Sequence, residues 1–168
     1  IEILVVITII SIITGFFILS FVGANERQEL QLFSDEAYAA LQTARTDVSA
    51  GKKEDSVICS GLYFEEGELP QKVIYSYVVD ACDMTSEALS EFATRPSDLA
   101  VSSIKVANSN ETSIYVLFVP PAGEMKIFGD NGELSGAALL ELSKNNRKIV
   151  FDLNPHANKI SVTIVNEE

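Results

Sequence analysis

The chain has 168 residues and a formal net charge of -12, from 24 acidic and 12 basic side chains. That length holds one domain with a real core plus an N-terminal segment. The acidity speaks against a protein that tracks a phosphate backbone, which needs clustered lysine and arginine. The pair Lys52-Lys53 is too small for that, so no nucleic acid is expected as a partner.

The first predicted element is apolar. Residues 1–22 read IEILVVITIISIITGFFILSFV, and between Glu2 and Glu26 no charged side chain occurs. As a helix, residues 3–22 would be about 30 Å long, the thickness of a bilayer core. Isoleucine, valine and phenylalanine favour strands in water, but in lipid a lone segment must satisfy its own backbone and becomes a helix. Residues 1–24 are therefore expected to be a transmembrane or filament-core helix. Glu2 costs roughly 3 kcal/mol inside such a segment, less near a helix N-terminus. It is either an acid near the interface or one that awaits a positive partner. Thr8, Ser11, Gly15 and Gly23 lie near one helical face, a pattern that lets helices approach closely or is simply tolerated. A removable signal and a permanent anchor also fit an apolar run of this kind. A secretory signal would use Val22-Gly23-Ala24 as a cleavage site but lacks a visible basic n-region. A permanent single-span anchor would tether a surface domain.

The second element continues the helix over residues 25–51. Leu30, Phe33, Ala37, Leu41, Ala44 and Val48 step by three or four, which marks one apolar face. Glu29, Glu36, Gln42, Thr43 and Asp47 fall largely off it. No proline interrupts the first 50 residues. Gly51 supplies a stop, with Lys52 and Lys53 beyond it to complement the helix dipole.

From residue 52 to 168 the period changes to two, which predicts a β-rich globular head. Strands are expected over 57–64, 72–79, 99–106, 114–119, 124–128, 138–142, 148–153 and 159–165. The separators are turn formers such as Pro120-Pro121-Ala122-Gly123 and Asp130-Asn131-Gly132. Residues 85–92 read as a short helix capped by Thr85 or Ser86. The fold class is thus α+β: a long N-terminal α-helix, apolar in its first half and amphipathic in its second, packed on an antiparallel β-rich globular domain.

Chemistry is scarce, and no enzyme or cofactor is expected. The lone histidine, His156, stands in a turn. No G-x-S-x-G elbow, phosphate loop or Walker motif occurs. Asp130, Asn131 and Glu133 could offer oxygens to calcium, but the spacing is not that of an EF-hand, and Asp-Asn-Gly is a hairpin signal. Asn110-Glu111-Thr112 is a glycosylation acceptor pattern, and an unmodified turn is the plainer reading. Cys59 and Cys82 are either one disulfide of an exported protein or two buried thiols.

The run Ile1-Glu2-Ile3-Leu4-Val5-Val6-Ile7 resembles the start of mature type IV pilins and type II secretion pseudopilins. A looser resemblance, to H-type pseudopilin ectodomains, rests on Leu41-Gln42-Thr43-Ala44-Arg45, on Phe118-Val119-Pro120-Pro121-Ala122-Gly123 and on residues 148–155. The phenylalanine and two residues that the family places before Ile1 are not in this sequence. The family's proline near the end of the apolar run is missing too, which leaves Gly15, beside Thr14, as the weakest point of that helix. The resemblance implies that Glu2 neutralises the N-terminal amine of a neighbouring subunit. It implies a helical homopolymer of identical subunits, with an inner-membrane stage, a prepilin peptidase and a pilus assembly platform. It places the head outside the cytoplasm, on the cell surface or in an extracellular filament, which favours the Cys59–Cys82 bridge. The functions it implies are main pilin of a type IV pilus, for adhesion or twitching motility, or minor subunit of a pilus or type II secretion machine. A tethered binding module that never polymerises is the third reading.

Overall fold

A computed structural model describes residues 2–51, 58–78, 81–93, 95–96, 98–106, 109–129 and 132–166; of residues 2, 16–23, 78, 81, 83–89 and 109–110 it describes the backbone alone. Helical backbone, α1, runs over Glu2–Ser49. Among the described residues, eleven strands follow. β1 (Ile58–Glu65), β2 (Gln71–Val78), β3 (Ala81–Ser90), β6 (Ser113–Val119), β7 (Glu124–Gly129) and β8 (Gly132–Leu134) form one sheet in the order β3-β2-β1-β6-β7-β8. β4 (Ala100–Val106), β5 (Ser109–Asn110), β9 (Ala138–Lys144), β10 (Arg147–Asn154) and β11 (Lys159–Asn166) form a second, in the order β11-β10-β9-β4-β5. All strand pairs are antiparallel.

The alternation of apolar residues fixes which face of each strand is buried. In β9, Ala138, Leu140 and Leu142 point into the core, and in β10 Ile149, Phe151 and Leu153 do the same. From the first sheet Leu62, Phe64, Val116, Phe118, Met125 and Ile127 join them. Phe64 meets Phe151 edge-on at 5.5 Å, so the two sheets share one core. Six side chains of α1, Leu30, Phe33, Ala37, Leu41, Ala44 and Val48, are buried in that same core. Each large one contributes roughly 1.5–3 kcal/mol by leaving water. Phe33 meets Phe92 edge-on at 5.3 Å, which ties the helix to the segment after β3. The helix stops where Gly51 adopts φ +62°, with Gly51 N–H donating to the Val48 carbonyl at 3.2 Å. That left-handed turn is open to glycine at little cost.

Two expectations are corrected. The α+β class with a long N-terminal helix packed on the head does not hold. The fold is mostly β, with nearly half the chain in two antiparallel sheets. The described helical side chains fall into a short N-terminal stretch, 3–15, and a 26-residue stretch, 24–49. Only the second packs on the sheets; residues 3–15 are exposed throughout. The physical reason is patterning. Residues 24–49 have one apolar face, which a sheet can cover, whereas residues 3–15 are apolar on every side and find no cover within the chain. The second correction concerns residues 85–92. Residues 81–90 form β3, paired with β2, so there is no short helix at Thr85. The sheet edge beside β2 outweighs a local capping signal. β5 and β8 are short strands that the sequence pattern did not mark.

Candidate assembly surface

The N-terminal stretch of α1 presents nine large aliphatic side chains, at Ile3, Leu4, Val5, Val6, Ile7, Ile9, Ile10, Ile12 and Ile13, each 50–77% exposed. Four in succession, Leu4 to Ile7, cover the whole circumference of a helix, which turns once in about 3.6 residues. The exposed hydroxyls bond back to the helix itself. Thr8 Oγ1 donates to the Leu4 carbonyl at 2.8 Å, Ser11 Oγ to Ile7 at 2.9 Å and Thr14 Oγ1 to Ile10 at 2.8 Å. With its hydroxyls bonded to its own backbone, the stretch offers mostly hydrocarbon to its surroundings. A Cβ added at Gly15 would meet nothing within 4 Å, so this position is an open notch.

Of the five residues expected to mediate assembly, the structure places Thr8, Ser11 and Gly15 on this stretch, and the side chain of Glu2 lies outside the described residues. Gly23 falls in the stretch whose backbone alone is described, and the supposed span 3–22 runs into it. Among the described residues, no helix is long and apolar enough to cross a membrane.

Polar contacts join α1 to the head at several levels. At the end nearer the apolar stretch, Lys144 Nζ donates to Glu29 Oε2 at 3.0 Å and Asn145 Nδ2 to Glu26 Oε1 at 3.4 Å. Midway, Glu36 Oε1 accepts from Lys72 Nζ at 3.3 Å and from the backbone N–H of Ala93 at 2.9 Å. At the far end Ser49 Oγ donates to the Ala122 carbonyl at 3.3 Å, and a Cβ on Gly123 would collide with Ser49 Oγ. Lys144 is a buried lysine, 5% exposed, that the sequence reading did not single out. Its signal was present: the alternation through Ala138, Leu140 and Leu142 puts residue 144 on the core face, so a lysine there needs an acid.

The outer face of the first sheet carries a second apolar cluster of Cys59, Val73, Tyr75 and Leu117. Cys59 and Cys82 are bridged, with S–S 2.06 Å and Cα atoms 5.9 Å apart. Cys59 stands opposite Tyr75 and Cys82 opposite Tyr77, so the bridge links β1 to β3 across β2. Tyr63 stacks on Tyr115 at 4.5 Å, and Tyr115 meets Tyr75 edge-on at 5.9 Å. Tyr63 Oη donates to Glu65 Oε2 at 3.0 Å. Burial, then the bond to Glu65, pushes the Tyr63 phenol up from 10.0 to about 12.

Among the described residues, no group of three or more histidine, cysteine, aspartate or glutamate side chains could hold a metal ion. Asp130 and Asn131, considered for calcium, lie outside them. His156 is exposed in the turn between β10 and β11. No protein-family model, curated protein or solved structure matches the chain.

Proposed function

We propose that this chain is a filament-forming, pilin-like subunit that polymerises through its N-terminal helix, the main structural pilin of a type IV pilus. The observation that carries the reading is the helical stretch 3–15, apolar on every side and bare of contacts, joined in one helical backbone to a stretch that anchors the head. A one-sided amphipathic helix would lie on a surface. A helix apolar all round must be enclosed, by lipid or by other helices. The motif Ile1-Glu2-Ile3-Leu4-Val5-Val6-Ile7 supports the second enclosure as the final one. The subunit waits in the inner membrane and then exchanges lipid for a bundle of identical helices, which carries the heads outward to the cell surface. Glu2 pairs with a neighbour's N-terminal amine there. A carboxylate buried without a partner is costly, so registers that leave Glu2 unpaired are disfavoured.

The test is Glu2→Ala. The variant should fold and insert normally but give a small fraction of the wild-type yield of sheared surface fibres. Normal fibres from that variant alone would remove the register role of Glu2. A full-length protein that stays monodisperse in mild detergent and never occurs in fibres would leave a tethered domain instead.

A further inference from the structure

Near the far end of α1, a cavity of about 550 Å³ opens in the head, walled by β7, β8 and the turn between β10 and β11. That volume lies within the range of small-ligand sites, about 300–1,000 Å³. Ala122 on its rim accepts the hydrogen bond from Ser49 Oγ. The cavity therefore stands at the opposite end of the head-bound helix from Ala24, about 38 Å along the axis.

Its lining offers donors and acceptors together. The Glu124 carboxylate is exposed and pairs with no other side chain among the described residues. Ser135 and His156, both exposed, bring a hydroxyl and an imidazole. Lys126 Nζ donates to Glu133 Oε2 at 3.0 Å, so the charges of those two cancel. The Asn158 amide donates to the Gly123 carbonyl at 3.4 Å, but its buried Oδ1 accepts no hydrogen bond. A buried acceptor left empty is costly, and the cavity that Asn158 lines is where a donor can come from. Leu134 and Pro155, both half-buried, supply apolar wall.

These groups discriminate among small ligands. An anion meets the uncompensated Glu124 and is repelled. A divalent cation finds no set of three ligating side chains among the described residues. A lone ammonium pairs with Glu124 but leaves Ser135, His156 and Asn158 unmatched. A neutral polyol matches them all, because each hydroxyl both donates and accepts. Its hydroxyls donate to Glu124 and Asn158 and accept from Ser135 and His156, while its C–H face lies on Leu134 and Pro155.

We propose that this cavity binds a neutral sugar of one or two rings. Binding at this end of the head does not depend on polymerisation through the other end.

The test uses the full-length chain in a detergent without a sugar headgroup, titrated by saturation-transfer NMR. The probes are methyl glucoside, methyl galactoside, methyl mannoside and N-acetylglucosamine, with glucuronate, methylammonium and a neutral tetrapeptide beside them. At least one neutral sugar should bind with a dissociation constant of about 1 mM. Glu124→Gln should weaken it about tenfold and Ser135→Ala about threefold. Both side chains are exposed, so neither variant puts the fold at risk. Asp35→Asn, on an exposed acid of α1 outside the cavity, should change nothing. Silence from every neutral sugar overturns the proposal, as does binding that both cavity variants leave intact. So does tighter binding of glucuronate, methylammonium or the tetrapeptide, which makes an anion, an amine or a peptide the ligand. Fibre formation reports separately on the function proposed above. Fibres that bind no sugar fail only here, whereas a chain that binds sugar and forms no fibres fails only there.

Discussion

At the scale of single residues, two positions in the first sheet are tightly specified. Gly61 in β1 lies against β6, and a Cβ added there would run into the Val116 carbonyl oxygen. That neighbour is backbone in the middle of a sheet and cannot turn aside as a side chain would. Gly61→Ala should therefore cost about 1–3 kcal/mol, the range for overpacked cores, seen as a lower urea midpoint at unchanged slope. Tyr63 gives a pH signature. Its phenol holds its proton up to about pH 12 in the fold, against 10.0 ordinarily. Its contribution is fully present below pH 10 and declines as pH rises from there to about 12, because the unfolded chain ionises first. An alkaline titration followed by tyrosinate absorbance should show a late component that Tyr63→Phe removes. A late component that survives intact in that variant belongs to another tyrosine.

At the scale of elements, the disulfide and the helix each hold a piece that local preference would not. β3 is an edge strand, paired on one side with β2 and tied over that strand to β1 by Cys59–Cys82. Cys59→Ser should lower head stability by roughly 2–4 kcal/mol through the longer open loop of the unfolded chain. Equal midpoints for the variant and wild type, both measured without reductant, would show that the bridge adds nothing to stability. The same strand explains the misreading of residues 85–92. Thr85 and Ser86 cap helices well, but β2 offers a ladder of unpaired backbone groups, and that is visible only in three dimensions. By contrast Leu30, Phe33, Ala37, Leu41, Ala44 and Val48 were legible as a face, because a helical period needs no knowledge of its partner. Most strands of the second sheet were legible for the same reason, since β9, β10 and the turns between them alternate cleanly. The joint at Lys144 was harder to see. It depends on Glu29, more than a hundred residues away, and pairing over that distance leaves no periodic trace.

At the scale of the whole molecule, the sequence marks two incompatible surfaces: a hydrocarbon rod and an acidic head. What it cannot convey is that residues 3–15 gain no cover from their own chain, whereas residues 24–49 sink one face into the core. For the assembly proposed above, the chain's charge sets a condition. Subunits with a net charge of -12 repel one another when packed side by side. Raising ionic strength from about 0.01 M to about 0.15 M shortens the screening length from about 30 Å to about 8 Å. The sedimentable fraction of fibres should therefore rise over that range. Fibres that dissolve instead would show that ion pairs between heads outweigh the repulsion.

The contacts between helix and head are spread along the rod, from Glu26 and Glu29 near one end, through Glu36, to Ser49 at the other. In the filament proposed above, tension would pull on each subunit along that helix. Bonds arranged in this way share the load and must give way together, in shear, whereas a head attached at one end would peel off bond by bond. For the function proposed above, the spacing of a few carboxylates and hydroxyls along one helix would thus set how much tension a subunit bears before its head tears loose.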